Sequence, residues 1–210
     1  MAFPKFFDDA PVISLRDPLA DLLGAAEGGV IEYRYADVVR LAGHSCPTVA
    51  GAYLSVRAAL NVLYPNSLPE RGAIRVHMPA PETEGTIGVV AQVITMLTGA
   101  TAQGGFKGIG GRFARNGLLS FAKNSGENDG AVRFERIDTG AAVTVKFDAN
   151  QIPPHESQRE RMLAVMHNRE TPEQQVEFAR LWQKRVRKML LEHADDPELV
   201  RVLPLSGAKV

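Results

Sequence analysis

Cysteine is nearly absent from this 210-residue chain, where Cys46 stands alone. No intrachain disulfide can form, and disulfide scaffolds and all-thiolate zinc sites within one chain are excluded. A lone thiol fits a reducing compartment. Surplus charge is absent as well: Lys plus Arg total 24, Asp plus Glu total 24, and the formal net charge is +0. Without a basic excess the chain lacks the counterion-releasing surface of a generic nucleic-acid binder, and without an acidic excess it is unlike a disordered tail. There is no long hydrophobic run. The most apolar stretch, residues 88–100, is too short and is interrupted by Gln92, Thr95 and Thr98, so it does not suit a bilayer. The first nine residues place Asp8 and Asp9 where a secretory leader needs apolar side chains. These absences predict a soluble, cytoplasmic protein with neither nucleic acid nor membrane as partner. A hydrophobic content of 45% is ordinary for a chain that buries a core.

The apolar pattern divides the chain into a surface arm over 1–30, a core over 31–150 and a helical segment over 151–210. The arm is read with one short helix around Leu19, Leu22 and Leu23. Val38, Val39 and Leu41 predict a helix that ends at Ala42-Gly43. Val49, Ala52, Tyr53, Val56, Leu60 and Leu63 recur at helical spacing, and Pro47 suits the first helical position. The small residues Ala50, Gly51, Ala58 and Ala59 on the other side mark this helix as central. Ile74, Val76 and Met78 alternate with Arg75 and His77, the pattern of a strand. Residues 87–97 predict a second apolar helix stopped by Gly99. A glycine-rich loop over 104–117 leads to strands at 118–122, 132–137 and 142–147. Two helices follow, the second opened by Thr171-Pro172-Glu173-Gln174 with an apolar stripe of Val176, Ala179, Trp182, Val186, Met189 and Leu190. The order predicts an α+β fold, with central helices packed on an antiparallel sheet and a C-terminal helical extension.

The one concentration of chemistry is His44-Ser45-Cys46-Pro47. Imidazole and thiolate are good ligands for zinc and similar ions, and at the start of a helix Cys46 meets free N–H groups that favour a thiolate. The competing structural reading is a Cys packed like a small apolar residue beside a His that satisfies a backbone group. His77 and Glu84 are further candidate ligands, with Glu82 beside them. Their structural alternatives are a half-buried strand histidine and carboxylates favoured at a helix N-terminus. Lys107 and Arg112, in the glycine-rich loop, are candidate binding residues for an anionic ligand or cofactor. That loop matches neither G-x-x-x-x-G-K-[ST] nor G-x-G-x-x-G, so a structural turn competes with that reading. His155, His167 and His193 are expected at the surface. Arg112, Arg115, Lys123, Arg159, Arg161 and residues 180–188 are read as solvated faces. Nucleophilic hydrolysis has little support: G-x-S-x-G is absent and no acid in the sequence obviously orients a His.

At His44-Ser45-Cys46-Pro47, followed by a small-residue helix, the sequence resembles the FmdE family, named for a component of formylmethanofuran dehydrogenase. Leu97-Thr98-Gly99-Ala100-Thr101 is similar to that family's L-T-G-C-T stretch. Thr171-Pro172-Glu173 through to Pro197-Glu198-Leu199 is similar to its C-terminal helix and closing segment. The resemblance implies an α+β fold, a dimer, and a metal, typically zinc, near the turn, with His44 and Cys46 as matching ligands. The chain departs from H-G-H-x-C-P-G at Ala42 and Thr48, and it has Val89, Gln92 and Ala100 where the family has Cys, Asp and Cys. His77 or Glu84 is therefore expected to substitute.

Together these readings lead to a metal-binding protein holding zinc or another divalent transition metal at His44, Cys46, His77 and Glu84, beside a small-molecule ligand and partnered by a second copy of itself. If the metal is catalytic, a free Glu82 or Glu84 is the candidate base. The rival is a non-metal accessory or binding module on the same fold that has lost the site. A third option is a metal-independent cysteine enzyme built on Cys46.

Overall fold

In the computed structural model, which describes residues 3–204, the core is organised around a helix that is apolar on nearly every side. This helix, α3 (Pro47–Leu63), buries Val49, Tyr53, Leu54, Val56 and Leu60. Its small residues let neighbours approach from the remaining directions. α2 (Tyr35–Ala42) and α4 (Ile87–Thr98) pack beside it. Both end at glycines in the left-handed conformation, Gly43 and Gly99. That conformation closes a helix at little steric cost when Cβ is absent.

These helices cover one face of a five-stranded sheet ordered β4-β3-β5-β6-β7. The strands are β3 (Ile74–Met78), β4 (Leu119–Phe121), β5 (Val132–Arg136), β6 (Ala142–Phe147) and β7 (Val200–Pro204). Alternation decides the faces: Ile74, Val76 and Met78 are buried, while Arg75 and His77 lie on the other side. β5 and β6 form the expected hairpin through Asp138-Thr139-Gly140.

The fold is α+β as expected, with corrections in detail. The sheet is mixed, because β4 runs parallel to β3 while the other pairings are antiparallel. The cause is topological: α4 and the glycine-rich loop carry the chain back along the sheet before β4 begins, and such a crossover produces a parallel pair. The tail is not wholly helical. After α5 (Gln158–Met166) and α6 (Pro172–Arg187), a π-helical turn at Lys188–Glu192 buries Met189 and Leu190, and β7 then completes the sheet edge. Thr171 and Gln174 make the expected reciprocal cap of α6. Val176 is 70% exposed rather than part of the apolar stripe. The first 30 residues are not a surface arm either. Besides the expected short helix α1 (Pro18–Leu22), they form a hairpin of β1 (Ile13–Arg16) and β2 (Val30–Tyr33). Phe7, Ile13 and Leu15 enter the core, and Phe7 meets Tyr35 edge-on with ring centroids 4.9 Å apart. Among the described residues no helix is long and apolar enough to cross a membrane.

Gly51 sets how closely α3 approaches the sheet, because a Cβ there would run into the Phe147 ring. Close-packed cores relax only partly around added volume. Gly51→Ala is expected to destabilise the chain by about 1–3 kcal/mol, read as a lower urea midpoint with an unchanged slope.

Candidate functional site

The turn carrying His44 and Cys46 is built as a structural joint. Cys46 is the N-cap of α3, and its buried Sγ accepts the Val49 N–H at 3.5 Å. The intervening Ser45 is held from two sides. Its hydroxyl lies 2.9 Å from the Tyr35 hydroxyl, and its carbonyl accepts from Trp182 Nε1 and Gln183 Nε2 of α6, each at 3.1 Å. His44 is exposed, with Nδ1 at 2.9 Å from the Ala42 carbonyl, so it donates there to an orphan acceptor at the end of α2.

His77 and Glu84 have other partners. His77 Nδ1 is 2.9 Å from Ser120 Oγ on β4, and its Nε2 is 2.9 Å from Glu127 Oε2. The sequence-based expectation that no acid orients a histidine is thereby corrected: Glu127, 50 residues downstream, does so through tertiary contact. The exposed Glu84 carboxylate accepts a hydrogen bond from Ser125. Glu82 lies before α4 on the wall of an apolar groove that includes Leu41, Met96 and Phe121. His155 and His167 lie at the surface as expected, and His193 is half-buried against Asp196 at 2.8 Å.

A protein zinc centre needs three or four converging donors. Among the described residues no three His, Cys, Asp or Glu side chains are grouped to hold a metal ion. His44, Cys46, His77 and Glu84 do not form such a group, and both ring nitrogens of His77 are engaged by protein. The donor set, as placed among the described residues, does not fit zinc.

The structure instead builds a cleft of about 720 Å³ between α1, the start of β3 and the glycine-rich loop. Four arginines line it (Arg16, Arg71, Arg112 and Arg115), with Asp21 and Glu70 the carboxylates on its wall. Arg112, expected in an anion site, is on this wall, whereas Lys107 is exposed on the same loop and is not. Arg115, expected on a solvated face, is 6% exposed. It is buried because Asp17 lies beneath the cleft. Asp17 Oδ1 receives Arg115 Nη2 at 2.6 Å and Oδ2 receives Arg71 Nη1 at 2.9 Å. The same carboxylate caps α1, accepting from the N–H of Leu19 at 2.9 Å and of Ala20 at 3.3 Å. Gly72 leaves room for the stack: its φ is +88°, and a Cβ there would fall on the Arg115 guanidinium. Arg71 continues the network to the end of α4, donating Nε and Nη2 to the Met96 carbonyl at 3.2 and 3.0 Å.

Burial raises the Asp17 pKa, but the Arg71 hydrogen bond, the Arg115 charge and the two backbone donors outweigh it and hold it below its ordinary 3.8. Burial pulls the Arg115 guanidinium down, opposed by the Asp17 charge. A carboxylate with a depressed folded-state pKa stabilises the fold above its unfolded pKa and loses that contribution as pH falls through the lowered value. Replacing Asp17 by Asn leaves Arg115 buried without its counter-charge. The variant is expected to lose about 3–5 kcal/mol at neutral pH. Urea titrations should show this gap constant above roughly pH 5 and shrinking below the ordinary 3.8 as wild-type Asp17 protonates.

Among known proteins, no family model matches the chain and no curated protein matches it. The chain is similar to a crystal structure of a tungsten formylmethanofuran dehydrogenase FmdE-like protein from Syntrophus aciditrophicus, at 17% identity over 82% of this chain and 72% of that one, with a TM-score of 0.44.

Proposed function

We propose that this chain is a binding module for a small organic anion, held in the arginine-lined cleft. The observation that carries the reading is Arg112. It is exposed on the cleft wall, lies 4.6 Å over the Phe113 ring and has no acid partner among the described residues, whereas Arg16, Arg71 and Arg115 are paired to Asp21 and Asp17. A guanidinium on an aromatic face keeps its donor fork free for a carboxylate or phosphate. Pro18, Leu22, Phe113 and Ala114 add apolar surface to the otherwise polar lining of the cleft. Leu22 is 58% exposed, and a ligand with an apolar body would cover it. Phe113 itself has a φ of +63°, a backbone conformation that costs a non-glycine residue free energy and concentrates at ligand sites. The buried Asp17 network beneath supplies rigidity, so a ligand meets a preorganised surface. A second copy of the chain remains the other proposed partner, supported by Leu163 at 50%, Met166 at 68% and Val176 at 70% exposure along α5 and α6.

Calorimetric titration with benzoate, acetate and inorganic phosphate tests the reading. Benzoate is expected to bind more tightly than acetate, because only it reaches both the guanidinium and the apolar surface. Arg112→Ala is expected to weaken benzoate by about tenfold, near 1.4 kcal/mol, without changing the melting temperature. Equal or absent binding of the three anions, indifferent to Arg112, would sink the proposal. Sedimentation at high concentration should give twice the chain mass if the second copy binds.

A further inference from the structure

The sheet face opposite the helices carries a row of polar residues on adjacent strands: Ser120 of β4 is paired with His77 of β3, and His77 with Arg133 of β5. Glu127 reaches this row from the segment between β4 and β5, which is anchored where its backbone N–H donates to the Pro79 carbonyl at 3.1 Å. The following residues Asn128 and Asp129 take φ values of +52° and +56°. Asn and Asp tolerate that region best among non-glycine residues, and the turn they make places the Glu127 carboxylate on His77.

The hydrogen-bond roles follow from chemistry. A carboxylate only accepts, so His77 Nε2 carries the proton shared with Glu127 at 2.9 Å. In the neutral imidazole His77 Nδ1 is then the acceptor facing the Ser120 hydroxyl at 2.9 Å. The hydroxyl's other acceptor, the Val76 carbonyl, is farther away at 3.4 Å. Ser120 is exposed and sits on the edge strand, so an incoming group can reach Oγ. Nucleophile, base and orienting acid are thus joined in one hydrogen-bonded series, the arrangement by which acyl-transfer sites are recognised whatever the fold.

We propose that Ser120, His77 and Glu127 form a nucleophilic acyl-transfer site on the open sheet face, acting on esters. Ser120 Oγ attacks the acyl carbon while its proton passes to His77 Nδ1. The imidazolium is stabilised by Glu127. The C–O bond to the leaving alcohol then breaks, and that alcohol takes the proton from His77. Water repeats the cycle on the acyl-serine, returning the free acid and the original hydroxyl. Ser120 and His77 are the catalytic residues, and Glu127 is a positioning residue. The site is separate from the arginine-lined cleft, so either reading stands without the other.

The experiment is treatment of the intact protein with a fluorophosphonate probe, mapped by peptide mass, alongside hydrolysis of 4-nitrophenyl acetate. The probe is expected to bond to Ser120, with fluoride leaving, and Ser120→Ala to abolish both labelling and turnover. Loss of the base in His77→Gln should slow hydrolysis about 100-fold or more. Adding it to Ser120→Ala should cost nothing further, since members of one catalytic unit are not additive. Glu127→Gln should lower kcat with KM unchanged, and Glu127→Asp should recover part of the loss. Melting curves check that each variant is folded. Labelling of Ser120 no faster than that of other surface hydroxyls, or turnover that survives in folded Ser120→Ala, overturns the proposal.

Discussion

A carboxylate taken out of water must be surrounded by donors or it gives up its charge, and Asp17 meets that demand by drawing distant segments together. Its two oxygens receive Arg71 from the approach to β3, Arg115 from the glycine-rich loop, and two N–H groups of α1. Arg71 carries the link to the end of α4. The N-terminal hairpin, the central helices and the long loop therefore share one buried ionic node. An ion pair so buried is costly to break rather than a large net source of stability. Its effect is positional: it decides where the loop crosses, and so where Arg112 and Phe113 meet the cleft.

The second organising constraint is the two-sided sheet. α3 packs closely on one face because Gly51 admits the Phe147 ring, and the buried positions of β3, β5 and β6 fill that side. Strand alternation then forces Arg75, His77 and Arg133 onto the other. A polar row on an uncovered sheet face needs partners of its own, and the segment after β4 supplies them through Glu127 to His77 and Asp129 to Lys146 at 2.9 Å. The anionic cleft and the Ser120–His77–Glu127 series thus lie in separate neighbourhoods of the fold.

The local elements are legible where side-chain period and capping chemistry agree. α2, α3, α4, α6 and the β5–β6 hairpin sit at the positions their patterns predict. β1 and β7 escape the pattern reading, although Ile13 and Leu15, and Val200 and Val202, alternate. Runs of four or five residues signal weakly, and both strands depend on a partner far along the chain. At the candidate site the structural alternatives for His44 and Cys46 describe what is seen: a backbone-bonded ring and a buried helix cap. Asp17 leaves only the trace of an Asp-Pro helix start, because nothing local distinguishes a cap at the surface from one under two arginines.

Local chemistry by itself determined the α+β class, the central apolar helix and its Cys46-Pro47 entry, since these depend on residues a few positions apart. Tertiary structure alone decided which charges are buried, which arginine of the cleft has no acid partner among the described residues and which acid orients His77. Those outcomes require side chains separated by 98 residues, as in Asp17 and Arg115, or by 50, as in His77 and Glu127, to meet in space. No local period encodes such a meeting, because it is set by how the helices pack and by the order in which the strands join.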